Sequence, residues 1–232
     1  MKRQIRKILS VLVVGSSFIF SSLIYSDAGI IPYIIQKNNN KTYVNFLLSV
    51  EKRSGKNVVT DFGGGGKGNQ KDTAAKEGYE ETMGMFTVRN ANDLLKKKKA
   101  GVASLRERIQ FGCGNKNYKT YFVNVTDKMG KRGRAEIVKG LSKRLAKLKV
   151  YKKFKGKTYA PYREKRGFVW LSKKELTNVI NNNLDISCQV LSNFKYKKNL
   201  GAVMTKTPEN LKLYWRLRDN LKSVLSKIKS IK

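Results

Sequence analysis

Apolar residues along the chain follow two different periods, which predict strands in some segments and helices in others. Runs of four to eight β-branched and aromatic residues are typical of strands. Such runs occupy residues 29–35, 43–50, 118–125 and 167–171. The first two are separated by the turn-forming sequence KNNNK and are therefore predicted to pair as a hairpin.

Apolar residues spaced three and four apart predict helices between these strands. One helix is predicted over 73–83, with Asp72 or Thr73 as its N-cap, and an amphipathic helix over 135–150. Ser172 and Glu175 form a capping-box pattern that predicts a further helix after the last strand. A final basic amphipathic helix is predicted to begin at Thr207, Pro208 and Glu209 and to bury Leu217, Leu221, Val224 and Ile228. The pattern contains no internal repeat and predicts an α+β fold with a small mixed sheet between helices.

The first 27 residues resemble a targeting segment. Four basic residues, Lys2, Arg3, Arg6 and Lys7, precede an uncharged, mostly apolar run over 8–25, and small residues follow at Ser26 and Ala28. A basic region before an apolar region is typical of a signal peptide, and the run is also near the length of a membrane span. We therefore expect export, with the protein secreted if the segment is cleaved and membrane-anchored if it is retained. A buried core helix is the third interpretation.

Composition excludes several kinds of chemistry. The 232 residues include no histidine, which rules out Ser-His-Asp and Cys-His catalysis and histidine metal sites. The two cysteines, Cys113 and Cys188, form either one disulfide or two buried thiols. An enzyme with this composition has to use carboxylates, lysines or a carboxylate-bound metal.

Three glutamates are concentrated on one predicted helix, directly after a glycine-rich segment. The sequence DFGGGGKG over 61–68 precedes the helix, and Glu77, Glu80 and Glu81 lie three and four residues apart, on one face. Carboxylates placed together repel, and the whole chain has sixteen acidic residues. A hard divalent cation such as Mg²⁺ gives a reason for grouping them, and glycine backbone N–H groups can approach an anion closely. The alternative is a solvated acidic helix face after a flexible loop.

This segment resembles the signature motif of the Nudix hydrolases, G-x5-E-x7-R-E-U-x-E-E-x-G-U, in which U is apolar. Glu77 lies at the Glu of Arg-Glu, Glu80 and Glu81 lie at the Glu-Glu pair, and Gly63 and Gly84 are nearest the two glycines. The resemblance extends over roughly residues 28–180. The chain departs from the motif at five points. Lys76 replaces the arginine, Gly78 replaces the apolar residue, and Met83 is one residue too many. The glycine loop is one residue shorter, and the upstream glutamate has no counterpart.

The resemblance implies a Nudix-like α/β/α sandwich over residues 28–200, between the targeting segment at 1–27 and the basic helix at 207–232. It implies Mg²⁺ or Mn²⁺ held by Glu77, Glu80 and Glu81, and a hydrolase that acts on phosphoric anhydride bonds of a nucleoside diphosphate-linked substrate. Glu81, Glu80 and Glu164 are the expected catalytic carboxylates. The expected contacts to substrate phosphate are Gly63, Gly64, Gly65, Lys67 and Lys76.

The charge predicts a second kind of partner. Fifty lysines and arginines against sixteen acidic residues give a net charge of +34, which favours nucleic acid or another polyanion. Aromatic residues interleave with lysines at Tyr151, Phe154, Tyr159 and Tyr162, as in single-stranded RNA sites. Capped RNA or a dinucleotide would suit a pyrophosphohydrolase with this surface. The two other hypotheses are a non-enzymatic RNA-binding protein on a degenerate Nudix scaffold and a basic membrane-surface protein.

Overall fold

A computed structural model describes residues 25–129 and 132–232 of the chain. The targeting prediction therefore falls outside the described residues, apart from the small residues that follow the apolar run. No helix in these two described ranges is long and apolar enough to cross a membrane.

The chain forms nine strands and seven α-helices within the described residues. In chain order these are β1 (Tyr25–Asn38), β2 (Lys41–Arg53), β3 (Lys56–Thr60), β4 (Phe62–Lys67), α1 (Gln70–Glu81), α2 (Lys98–Glu107), β5 (Ile109–Gly114), β6 (Tyr118–Asn124), α3 (Thr126–Met129), α4 (Arg134–Val150), β7 (Gly167–Ser172), α5 (Lys173–Asn182), β8 (Ile186–Lys197), β9 (Gly201–Leu211), α6 (Trp215–Lys222) and α7 (Leu225–Ser230).

A seven-stranded mixed sheet is built around β1. This strand pairs antiparallel with β2 and β4 and parallel with β6, while β2 also pairs antiparallel with β3 and β7. The predicted hairpin is confirmed, with Tyr33 opposite Phe46 and Asn38 opposite Lys41. The mixed sheet of the predicted α+β fold is therefore confirmed.

Alternating residues of the central strands bury two separate cores, one on each face of the sheet. On one face Ile30 and Leu47 pack with α1, α2 and α4, and on the other Ile31 and Phe46 pack with α5, α6 and α7. The sheet is thus the middle of three layers. The predicted stripe of α4 is confirmed, because Ile137, Leu141, Leu145 and Leu148 are fully buried.

The capping box after β7 is confirmed. The Glu175 backbone N–H donates to Ser172 Oγ at 3.2 Å, and the Ser172 N–H donates to Glu175 Oε2 at 2.7 Å. The cap predicted for α1 is wrong. Its N-cap is Asn69, whose side chain accepts from the Asp72 N–H, and the buried Thr73 hydroxyl instead lies 2.9 Å from Ser26 Oγ.

The predicted start of the last helix is also wrong. The segment from Thr207 to Glu209 lies in β9, which pairs only with β8 in the described structure. Pro208 is tolerated there because a strand at a sheet edge can lack an N–H donor. A boundary between 200 and 207 would therefore divide one hairpin. The apolar residues Leu217, Leu221, Val224 and Ile228 are buried as predicted, but they belong to two short helices, α6 and α7, and the turn between them.

Candidate active site

Most of the glycine-rich segment is a strand rather than a flexible loop. Residues 62–67 form β4, which pairs with the first residues of β1, and only Gly68, with φ of +111°, takes the left-handed conformation of a turn. A Cβ on Gly63 would lie 2.7 Å from Gly29 Cα, and one on Gly64 would lie 2.6 Å from Glu77 Oε2. The glycines therefore let β4 approach both β1 and the glutamates of α1.

Helix α1 carries Glu77, Glu80 and Glu81 on its buried side. Glu80 and Glu81 are each 2% exposed and Glu77 is 8% exposed, so the alternative of a solvated acidic face is wrong. The helix ends at Glu81 with Thr82 as its C-cap, and the additional Met83 is accommodated in a left-handed conformation with φ of +53°. Its side chain is fully buried.

Lysines hold these carboxylates in place. Lys76 Nζ lies 2.9 Å from Glu77 Oε1 and 3.7 Å from Glu80 Oε2, and Lys98 donates to Glu80 Oε1. Lys76 therefore contacts two of the three glutamates. Lys67 is exposed at the end of β4, away from these ion pairs.

The centre of the site is Lys165, which sequence analysis missed. Its Nζ lies 2.8 Å from Glu81 Oε1 and donates to Glu51 Oε2, and the residue is 1% exposed. Arg53 donates to the other oxygen of Glu51. Glu51 and Lys165 meet because β2 and β7 pair, so only the sheet register could reveal them.

Burial controls the electrostatics of this cluster. Burial raises the pKa of Glu81 well above its usual range, although the Lys165 charge opposes the shift. Burial also lowers the pKa of Lys165, but the Glu81 and Glu51 carboxylates outweigh it, so the pKa is raised overall and the ammonium stays charged. Burial and the Glu51 and Glu80 carboxylates raise the pKa of Glu164, and the Lys165 charge opposes this shift. The exposed Glu164 is therefore electrostatically coupled to the cluster.

One buried oxygen of the cluster, Glu81 Oε2, receives no hydrogen bond from the described residues. An unpaired buried carboxylate oxygen is costly, and carboxylate oxygens are the donors that Mg²⁺ and Mn²⁺ prefer, so the donor chemistry fits a divalent cation. In the described part of the chain, however, no group of three acidic, cysteine or histidine side chains is arranged to hold a metal ion as it stands.

A cavity of about 120 Å³ shares Arg53 with the cluster, because Arg53 lines the cavity and also donates to Glu51. The other lining residues include Gly64, Gly65, Tyr118 and Arg216. The buried carboxylate of Asp61 also lines the cavity and accepts hydrogen bonds from the Tyr118 hydroxyl and from Thr120 Oγ1, both at 2.8 Å.

The two cysteines are buried free thiols, which decides between the two interpretations of the sequence. Burial raises the pKa of Cys113 to about 12 and that of Cys188 to about 11, so neither is a reactive thiolate.

Comparison of the chain with models of protein families and with curated proteins finds no match in either.

Proposed function

We propose that the chain is a Nudix-like, metal-dependent pyrophosphohydrolase that cleaves a nucleoside diphosphate-linked substrate. The observation that carries the proposal is the unpaired, buried Oε2 of Glu81, on a helix face shared with Glu77 and Glu80 and directly behind a glycine strand. Burying several carboxylates together destabilises the fold unless a cation compensates their negative charge.

In this proposal Glu77, Glu80 and Glu81 hold Mg²⁺ or Mn²⁺. A bound divalent cation polarises phosphoryl oxygens and lowers the pKa of a bound water. Lys76 and Lys98 orient the glutamates through the ion pairs described above. Gly64, Gly65 and Arg53 line the cavity where a substrate phosphate would lie, with Gly63 supporting the strand and Lys67 at its exposed end.

Proton transfer is assigned to carboxylates, because the chain has no histidine. The raised pKa of Glu164, whose first cause is burial, suits a group that exchanges protons with solvent next to the cluster. Glu81 and Glu80 are the other two carboxylates that could accept the proton of an attacking water.

The experiment is hydrolysis of a nucleoside diphosphate panel with Mg²⁺ or Mn²⁺, together with Mn²⁺ binding followed by electron paramagnetic resonance. We expect Glu81→Gln to reduce turnover at least ~100-fold and to weaken Mn²⁺ binding, because it removes one anionic ligand. The matched control is Glu107→Gln, an exposed glutamate on α2. Parent-level turnover in Glu81→Gln would contradict the assignment.

The second candidate function is RNA binding without catalysis. It is favoured by the ammonium groups of Lys76, Lys98 and Lys165, which already neutralise all three glutamates. Salt-sensitive RNA binding by a protein that neither binds Mn²⁺ nor releases phosphate or nucleotide would establish this alternative.

A further inference from the structure

Two segments outside the glutamate site carry basic residues and no acidic residue. Residues 137–163 contain ten lysines and arginines and no acidic residue, and residues 186–208 contain four lysines and no acidic residue. The structure brings these two segments together, because α4 packs against both strands of the β8–β9 hairpin. We call the surface formed by residues 137–163 and 186–208 the basic platform, which leaves out Glu136 at the start of α4 and Glu209 near the end of β9.

Aromatic side chains lie among the lysines of the basic platform. Tyr196 is 58% exposed, and its ring contacts that of Tyr151 at 5.7 Å in an edge-to-face arrangement. Lys149 Nζ lies 4.8 Å from the centre of the Phe194 ring. Of the stacking residues predicted from sequence, Phe154 and Tyr162 are 3% and 2% exposed and belong to the core, whereas Tyr151 and Tyr159 are half-buried.

Lys149 of α4 is a half-buried cation of the basic platform. Burial, together with the charges of Arg166 and Arg163, lowers the pKa of Lys149 to about 8, and no carboxylate among the described residues contributes to that shift. Uncompensated, half-buried cations are costly in the free protein, and an anion that neutralised them would remove this cost.

The segment from Arg163 to Arg166 connects the basic platform to the glutamate site. The turn over Pro161–Arg163 packs against both α4 and α1. The Arg166 N–H donates to the carbonyl of Val50, next to Glu51, and the Arg166 carbonyl accepts from the Leu191 N–H of β8. The basic platform and the glutamate site are therefore joined through this segment.

We propose that the basic platform binds single-stranded RNA, and that the substrate of the glutamate site is the phosphorylated 5′ end of that RNA rather than a free nucleotide. The RNA-binding part of this proposal depends only on the basic platform, whereas the part that concerns the substrate rests on the proposed function. Exposed aromatic rings between lysines favour unpaired bases, because a ring can stack on a splayed base but cannot reach one inside a duplex.

The test measures binding of the full-length chain to a 3′-fluorescein-labelled, 20-nucleotide RNA with a 5′-triphosphate, by fluorescence anisotropy across a salt series. The test variant is Lys195→Gln/Lys197→Gln/Lys198→Gln on the hairpin. Each lysine that no longer binds a phosphate reduces the slope of log affinity against log salt by ~0.7 for single strands, so we expect the slope to decrease by about two units.

The matched control is Lys37→Gln/Lys41→Gln/Lys52→Gln, which removes the same charge from exposed positions on β1 and β2. We expect it to leave the salt slope within half a unit of the parent's. Tyr196→Ala should weaken RNA binding ~10-fold or more because it removes a stacking ring, whereas Tyr43→Ala, which removes another exposed tyrosine, should not. Thermal unfolding shows that each variant is folded.

Catalysis is compared on the same RNA and on ATP. We expect the platform variants to lower kcat/KM for RNA ~10-fold and to leave turnover of ATP unchanged. Equal salt slopes in the two triple variants, or equally tight binding of a matched RNA duplex, would overturn the platform proposal even if the enzyme is active. Selective RNA binding with no hydrolysis of either substrate would uphold the platform but overturn the substrate assignment together with the proposed function.

Discussion

At the scale of single residues, the buried ammonium of Lys165 sets the electrostatics of the glutamate site. It is 1% exposed and is shared by Glu51 and Glu81, whose carboxylates come from β2 and α1. Removing one partner of a buried ion pair leaves the other charges uncompensated, which costs far more than losing a surface pair.

Lys165→Met is therefore expected to lower the free energy of unfolding by about 3–5 kcal/mol, measured by urea denaturation at pH 7. The control is Lys165→Met combined with Glu51→Gln and Glu81→Gln, which removes the buried charges together and should restore most of the loss. A fully stable Lys165→Met protein would show that the buried charge network is not needed for the fold.

Lys149 makes a pH-dependent contribution to stability. Burial and the charges of Arg166 and Arg163 lower its pKa to about 8 in the folded state, whereas an unfolded lysine titrates near 10.5. Below pH 8 the ammonium is charged in both states and destabilises the fold, and this cost disappears as the pH rises from 8 to 10.5.

Lys149→Met should accordingly raise the free energy of unfolding at pH 7 by on the order of 1 kcal/mol, a value reduced for partial solvent screening. The gain over the parent should shrink between pH 8 and pH 10, as followed by urea denaturation at several pH values. The control is Lys147→Met, which removes a lysine from an exposed position on the same helix. A pH-independent gain would refute the assigned cause.

At the scale of elements, the position of α1 depends on Gly78. Glycine within a helix costs about 1 kcal/mol relative to alanine, so sequence alone marks this position as a weakness. In the structure a Cβ at Gly78 would collide with the fully buried Ile30 side chain of β1. The glycine lets the helix that carries the glutamates lie close to the sheet.

Gly78→Ala should thus lower the free energy of unfolding by about 1–3 kcal/mol despite the better helix propensity of alanine. Adding Ile30→Val removes a methyl group at the point of collision, so the double variant should be more stable than Gly78→Ala alone. A stabilised Gly78→Ala protein would show that α1 can move away from β1 without cost. Chemical denaturation of the three proteins separates these outcomes.

At the scale of the whole molecule, the folded domain begins earlier than sequence analysis predicted. Strand β1 starts at Tyr25, and Tyr25, Ser26 and Asp27 lie opposite Lys67, Gly66 and Gly65 of β4. Ser26 is buried, and its hydroxyl donates to the Gly68 carbonyl at 2.9 Å. A domain boundary before Ala28 would cut into the strand that supports the glycine segment.

A chain beginning at Ala28 should consequently be less stable by about 1–3 kcal/mol than one beginning at Tyr25, because it loses strand pairing and the buried Ser26 hydrogen bonds. The comparison is made by thermal and urea unfolding of the two proteins. Ser26→Ala in the chain that begins at Tyr25 isolates the hydroxyl contribution. Equal stability of the two truncated chains would place the boundary at 28 after all.

Features that depend on residues close together in the sequence could be predicted from the sequence alone. The β1–β2 hairpin, the buried stripe of α4 and the capping box of α5 all follow from periods of two or from spacings of three and four residues. The same rules placed Glu77, Glu80 and Glu81 together, because residues three and four apart share a helix face.

Which charged side chains are buried, and which groups they contact, depends on the tertiary structure. Lys165 and Glu51 are 114 residues apart in the sequence and meet through the pairing of β2 with β7. Phe154 resembled a surface ring among lysines but is buried, and Thr207 to Glu209 resembled a helix start but pair with β8. Local spacing constrains only the direction in which a side chain points, whereas burial and pairing depend on which distant segment the sheet register brings against it.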